Sequence, residues 1–171
     1  IAEITSPVVG TIYSDEIGKY KEWTVGKGTK TNMTVSLSND HNYTFAGYYD
    51  APTKGTKQCS TLSYSGLEVF SDITLYARTV FDVTVNKDKG TDSITIKDTV
   101  EGVTATSEES ADFVKLGVTP NSTVEITTTT RNGYTFNGYY DPYIQYYNAS
   151  GTCVRNWDRI GPVTLTANWT V

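Results

Sequence analysis

The sequence has few of the residues that enzyme and metal sites most often use. It contains one histidine, one methionine and two cysteines among 171 residues. Lys and Arg number 14 against 19 Asp and Glu, which gives a formal net charge of −5, and no run of basic residues occurs. Because phosphate binding depends on clustered Lys and Arg, we expect no nucleic-acid partner. No apolar run reaches the length of about 18 residues that a membrane-spanning helix needs, so we expect no direct membrane insertion.

The single histidine gives little support to catalysis. His41 lies in the polar segment SNDHN, and the second half of the chain has no equivalent histidine. A Ser-His-Asp or Cys-His arrangement would have to use it. The two cysteines, Cys59 and Cys153, have no Cys or His nearby at the spacing of a zinc site. They could pair if their loops meet, or remain separate buried thiols. We predict that the chain is not an enzyme.

One segment has a partial likeness to a calcium-binding loop. Asn86, Asp88 and Asp92 carry side-chain oxygens around the turn residue Gly90. The bidentate acid that closes such a loop is missing, because Lys97 follows where Glu would help. We therefore predict no metal site and no cofactor.

The residues that the sequence does have in quantity are Tyr, Thr, Ser, Gly and Val. Thr, Tyr and Val favour strands, whereas Gly and Ser favour turns. Phe81, Val83 and Val85 alternate with polar residues, and so do Ile94 and Ile96 after a turn. This alternation predicts a hairpin that starts the second half of the chain.

One segment carries the signals of a short helix. In residues 107–117, Ser107 can cap the first turn, Glu108 suits the helix dipole, and Gly117 can end the helix. Residues 14–23 are a weaker counterpart in the first half. The predicted fold is mostly β, of the α+β class, with a curved sheet and one short helix in each domain.

The chain contains an internal repeat. Residues Tyr43–Asp50 read YTFAGYYD and residues Tyr134–Asp141 read YTFNGYYD, with seven of the eight positions identical. The later segments ITLYA at 73–77 and VTLTA at 163–167 match in the same order. Matches in the same order indicate two copies of one unit.

The repeat predicts two tandem domains, residues 1–80 and 81–171. The first is shorter before its YTF motif and looks trimmed at its start. No Pro- or Gly-rich linker separates the two, which predicts a stiff, extended pair.

The repeated segments resemble the Listeria–Bacteroides repeat, the B-repeat of internalin B and many other surface proteins. The carriers are YTFAGYYD with TLYAR in the first copy and NGYTFNGYYD with TLTANW in the second. Tyr48 and Tyr139 stand where the family usually has Trp, and the resemblance covers the second half of each copy. It implies a small β-grasp-like fold for each domain, and a spacer or interaction module rather than an enzyme. The signature positions are Tyr43, Phe45, Gly47, Tyr48, Leu75, Ala77, Tyr134, Phe136, Gly138, Tyr139, Leu165, Ala167 and Trp169.

The loop after the second motif is rich in aromatic residues. Tyr143, Tyr146, Tyr147 and Trp157 are the candidate binding residues. Exposed aromatic side chains on a rigid scaffold can stack on sugars or anchor a protein partner. The alternative is that aromatic residues of this loop fill the core or cover its edge.

Two functions remain open from the sequence. The first is a non-catalytic structural or adhesive stalk, or interaction module, of a secreted or cell-surface bacterial protein. Its partner would be a host or cell-surface protein or glycan. The second is a carbohydrate-binding accessory module of a secreted glycan-degrading system, which rests on the aromatic loop alone.

Overall fold

A computed structural model describes residues 7–13, 20–36, 42–88, 92–102, 108–120, 122–128, 131–154 and 161–171. All regular structure within these ranges is β-strand. The strands are β1 (Pro7–Tyr13), β2 (Tyr20–Gly26), β3 (Thr29–Thr34), β4 (Thr44–Tyr49), β5 (Lys57–Cys59), β6 (Ser63–Val69), β7 (Ile73–Asn86), β8 (Ile94–Asp98), β9 (Glu108–Glu109), β10 (Phe113–Val118), β11 (Val124–Thr128), β12 (Thr135–Asp141), β13 (Ile144–Tyr147) and β14 (Val163–Thr170). The chain divides into two compact units, residues 1–38 with 44–79 and residues 39–43 with 80–171. Within the described ranges, no helix is long and apolar enough to cross a membrane.

The first unit has a mixed main sheet and a second, two-stranded layer. Its main sheet has the order β5-β4-β7-β1-β2. Strand β1 is antiparallel to β2 and parallel to β7, with Gly10 opposite Ile73 and Tyr13 opposite Tyr76. Strands β3 and β6 form the second layer. Met33 of β3 and Tyr64 of β6 pack against the core of the main sheet.

The second unit repeats this order of strands. Its main sheet has the order β13-β12-β14-β7-β10, with the short β9 beyond β10. The later part of β7 is parallel to β14, with Val83 opposite Val163 and Asn86 opposite Thr166. Strands β8 and β11 form the second layer, and Ile96 and Ile126 contribute to a shared core. In both units, the first and last strands of the main sheet are therefore parallel neighbours.

The prediction of one short helix in each domain, and with it the β-grasp-like α+β fold, is wrong. The mostly-β prediction is confirmed. Glu108–Glu109 and Phe113–Val118 are strands β9 and β10, while Ser107 lies outside the described residues. The side chains of Val114, Leu116 and Val118 are buried, and they alternate with less buried residues. This period of two is the strand pattern, and it outweighs the capping signals at either end of the segment.

The helix expected near the start of the chain is also contradicted where the structure describes it. Residues 20–23 belong to strand β2, whereas residues 14–19 lie outside the described residues. The predicted hairpin of Phe81–Val85 with Ile94–Ile96 is wrong as well. Strand β8 pairs with β11, and the later part of β7 pairs with β10 and β14. Consecutive strands β7 and β8 thus lie in different layers of one core.

The glycine of each repeated motif lies at a close approach between strands. Gly47 and Gly138 have φ values of 143° and 122°, which side chains rarely adopt. A Cβ at Gly138 would collide with the backbone carbonyl of Tyr147. A Cβ at Gly47 would lie 2.8 Å from the carbonyl oxygen of Cys59. The motif therefore needs glycine for the backbone of the neighbouring strand to fit.

Candidate functional site

The predicted aromatic loop does not form one exposed cluster. Tyr143 is 92% exposed, but Tyr146 and Tyr147 are buried in the core of the second unit. The Tyr147 hydroxyl donates a hydrogen bond to the carbonyl of Val124, and burial raises the pKa of that hydroxyl. Trp157 lies outside the described residues. Of the three described candidates, only Tyr143 is available to a ligand from solution.

Most of the signature residues lie in the core at each motif or pack against it. Phe45 meets Tyr48 edge-on at a centroid distance of 5.0 Å and 66°, and Phe136 meets Tyr139 at 5.1 Å and 66°. Tyr48, Tyr139, Leu75, Ala77, Leu165 and Ala167 are buried, whereas Tyr43, Phe136 and Trp169 are partly buried against the second core. Burial raises the pKa of Tyr139 to about 12. Tyr48 and Tyr139 are thus core aromatic residues at equivalent positions of the two motifs.

Arg131 is the centre of a charged and aromatic cluster in the second unit. Its guanidinium donates to Asp88 Oδ2 at 2.5 Å and to Asp92 Oδ2 at 2.6 Å. The same group lies over the rings of Trp169 and Tyr134, at 4.5 and 5.0 Å from their centroids. Both carboxylates considered for calcium, Asp88 and Asp92, therefore bind Arg131. Among the described residues, no group of three or more His, Cys, Asp or Glu side chains is placed to bind a metal.

A cavity of about 260 Å³ adjoins Arg131. It is lined by aromatic side chains, by residues with hydroxyl groups and by the turn at residues 149–151. Within the part of the chain that the structure describes, the buried Trp169 indole N–H has no hydrogen-bond partner, and the Thr128 hydroxyl lies beside the buried Tyr139 hydroxyl. Burying a polar group without a hydrogen bond costs the folded state about 1–3 kcal/mol. The lining residues are Ile126, Thr127, Thr128, Arg131, Tyr134, Phe136, Ala149, Ser150, Gly151 and Trp169.

The first unit has a different pair of features. A cavity of about 400 Å³ lies between its two layers and is lined by side chains that include Ile12, Trp23 and Met33. On the three adjacent strands β2, β1 and β7, Tyr20, Tyr13 and Tyr76 form a row of rings. The Tyr13 centroid lies 5.6 Å from Tyr20 and 5.4 Å from Tyr76, and the latter pair is stacked at 18°.

Sequence reasoning missed most of this chemistry. The sequence patterns single out neither Arg131 nor Tyr13, Tyr20 and Tyr76. The alternation of Tyr13 with the apolar Ile12 is the one local sign that this tyrosine faces away from the core. Cys59 and Cys153 are partly buried thiols.

The chain is similar to Internalin H of Listeria monocytogenes serovar 1/2a, with 31% identity over an alignment of 175 residues. That alignment covers 98% of this chain and 26% of Internalin H, so the chain spans about a quarter of that protein's length. No family model matches the chain, and no solved structure matches it.

Proposed function

We propose that the chain is a non-catalytic structural or adhesive module of a bacterial surface or secreted protein. The observation that carries the proposal is the similarity to Internalin H along 98% of the chain. The repeated β-units support it, because successive copies of a small unit build an elongated region of a larger protein. Assignment of each unit, residues 1–80 and 81–171, to the Listeria–Bacteroides repeat is part of this proposal. The partner class is a host or cell-surface protein or glycan.

The location is tested on intact bacteria that produce the parent protein. Antibodies raised against residues 1–171 should label unpermeabilised cells or the culture medium. Brief protease treatment of intact cells should remove the cell-bound label while leaving a cytoplasmic marker protein undigested. Label that appears only after the cells are lysed would refute the proposal.

A second candidate function is binding of a neutral sugar, and the cavity beside Arg131 favours it. Aromatic rings suit the apolar face of a sugar, while the Trp169 N–H and the Thr128 hydroxyl suit its oxygens. Asp88 and Asp92 more than neutralise Arg131, so the cavity does not favour an anion. Its volume of about 260 Å³ is close to the smallest volumes of ligand pockets. The cavity would therefore hold a single sugar ring.

This second function predicts weak, saturable binding of neutral glycans to the two-unit chain. Thr128→Val removes a hydroxyl at nearly constant shape and should weaken binding about tenfold, the value of one hydrogen bond. Tyr134→Ala should weaken it at least as much, and the exposed Tyr143→Ala is the matched control. Titration followed by the indole N–H resonances of the tryptophans would measure this. No binding, or binding insensitive to both cavity variants, would exclude the sugar site.

A further inference from the structure

The first and last strands of each main sheet form a contact through which tension on the chain must pass. In the first unit these are β1 and β7, and in the second they are β7 and β14. The two strands of each pair are parallel, so the chain enters at one end of the contact and leaves at the opposite end. Tension on the chain then slides the two strands along each other. All their hydrogen bonds resist together, instead of opening one after another.

Side chains reinforce this contact in the first unit. Four pairs join β1 to β7, from Gly10–Ile73 to Tyr13–Tyr76. At one end the Val9 N–H donates to Asp72 Oδ1 at 2.7 Å. At the other end the rings of Tyr13 and Tyr76 stack across the same two strands at 5.4 Å.

The second unit has the same geometry with different side chains. Four pairs join β7 to β14, from Val83–Val163 to Asn86–Thr166. Val83, Val85 and Leu165 are fully buried beside this contact, so sliding would tear apart packed core as well as the ladder. The Asn86 amide donates to Thr166 Oγ1 at 3.4 Å, where the first unit has its tyrosine stack.

We propose that each unit is a force-bearing clamp that resists tension applied through its two ends. Strand β7 is the last strand of the first clamp and the first strand of the second, so tension passes between them along one covalent strand. The inference deepens the proposed surface role and rests on it for its biological meaning. Forced unfolding depends on the unfolding barrier, so clamp strength need not follow equilibrium stability.

The test is single-molecule force spectroscopy on residues 1–171 held by handles at the two termini. Two abrupt steps are expected, with length gains of roughly 250 Å for residues 7–79 and roughly 300 Å for residues 81–170. The control moves the second handle to residue 27, in the turn after β2. Because Pro7 lies opposite Gly26, this geometry opens the antiparallel β1–β2 ladder from one end. Its rupture force should be several-fold lower than in the end-to-end geometry.

Matched crosslinks assign each step to its clamp. Thr11 lies opposite Thr74 in the first unit, and Thr84 lies opposite Thr164 in the second. Each pair is replaced by cysteines in a background where Cys59 and Cys153 are serine. Oxidation should shorten only the step of the crosslinked unit, and reduction should restore it.

Equal rupture forces in the two pulling geometries would overturn the clamp, as would crosslinks that leave both steps unchanged. Either result would leave a surface location standing. Conversely, a chain found only inside cells would refute the surface role without altering the force curves.

Discussion

The main sheets of the two units have the same arrangement of strands. The second layers, however, are built from different parts of the chain. In the first unit, β3 pairs with β6, which follows the motif strand β4. In the second, β11 pairs with β8, which precedes β10. The shorter segment before Tyr43 therefore does not leave the first unit without a second layer. The repeated motif thus specifies the main sheet, whereas the strands of the covering layer can precede or follow the motif strand.

The cores differ as well. The buried cluster of the second unit joins Phe81, Val83, Ile96, Leu165 and others from both layers. In the described part of the first unit, the corresponding cluster is Ile12, Tyr48 and Ala77, next to a cavity of about 400 Å³. Because buried apolar area is the main source of stability, the second unit should be the more stable one.

The largest expected effect is a core truncation at equivalent repeat positions. Leu165→Ala should lower the free energy of unfolding of the second unit by about 2–5 kcal/mol, because Leu165 is fully buried in the large cluster. Leu75→Ala should cost the first unit less, because the buried cluster next to it is smaller among the described residues. Urea unfolding followed by circular dichroism measures both. Equal losses of unfolding free energy in the two variants would contradict the proposed difference between the cores.

The motif glycines should also differ. Gly138→Ala should destabilise the second unit by roughly 3 kcal/mol, because the new Cβ overlaps the backbone carbonyl of Tyr147. Gly47→Ala should cost roughly half as much, since its nearest atom lies at 2.8 Å. Gly133→Ala is the control, because that glycine has a positive φ but open space around it. If all three variants lost the same stability, backbone strain alone would explain the effect.

A smaller effect should depend on pH and affect the second unit. Burial raises the pKa of the Asp98 carboxyl, but hydrogen bonds from Ser122 and the Thr119 amide outweigh it, so the pKa lies below its usual value. A carboxyl group whose pKa is lower in the folded state stabilises the folded protein at pH values above its unfolded-state pKa of about 3.9. This stabilisation is lost as the pH falls towards the folded-state pKa.

Asp98→Asn should therefore cost about 2 kcal/mol at neutral pH and remove that part of the acid sensitivity. Unfolding measured from pH 7 to pH 2.5 in both proteins tests this. An unchanged pH profile in the variant would show that other groups cause the acid loss.

The smallest effect is expected at the tyrosine row. Tyr13→Ala should lower the stability of the first unit by only about 0.2–1 kcal/mol, the range for a cross-strand aromatic pair. The same variant should lower the rupture force of the first unit's step and leave the second unit's step unchanged. A loss of several kcal/mol would instead place Tyr13 in the core.

The sequence predicted the main sheet better than the covering layer or the site. The alternation around Val83 and Leu165 and the repeated motif predicted strands that the structure contains. The spacing of Phe113 and Leu116 also fits a helix. The segment is a strand because β10 pairs with β7, a partner that is remote in sequence. Arg131 meets Asp88 and Asp92 across 43 and 39 positions, so no local pattern could reveal that cluster.

The motif strand also explains which part of two diverging copies stays alike. Strands β4 and β12 pair with a neighbour on both edges, and each buries a tyrosine and passes a neighbouring backbone too closely for a Cβ. Mutations in this strand therefore meet constraints from both edges and from the core. The covering layers of the two units, by contrast, use strands from different parts of the chain. Drift should accordingly have erased likeness in the layers first, and YTFAGYYD and YTFNGYYD are what selection against misfolding would leave.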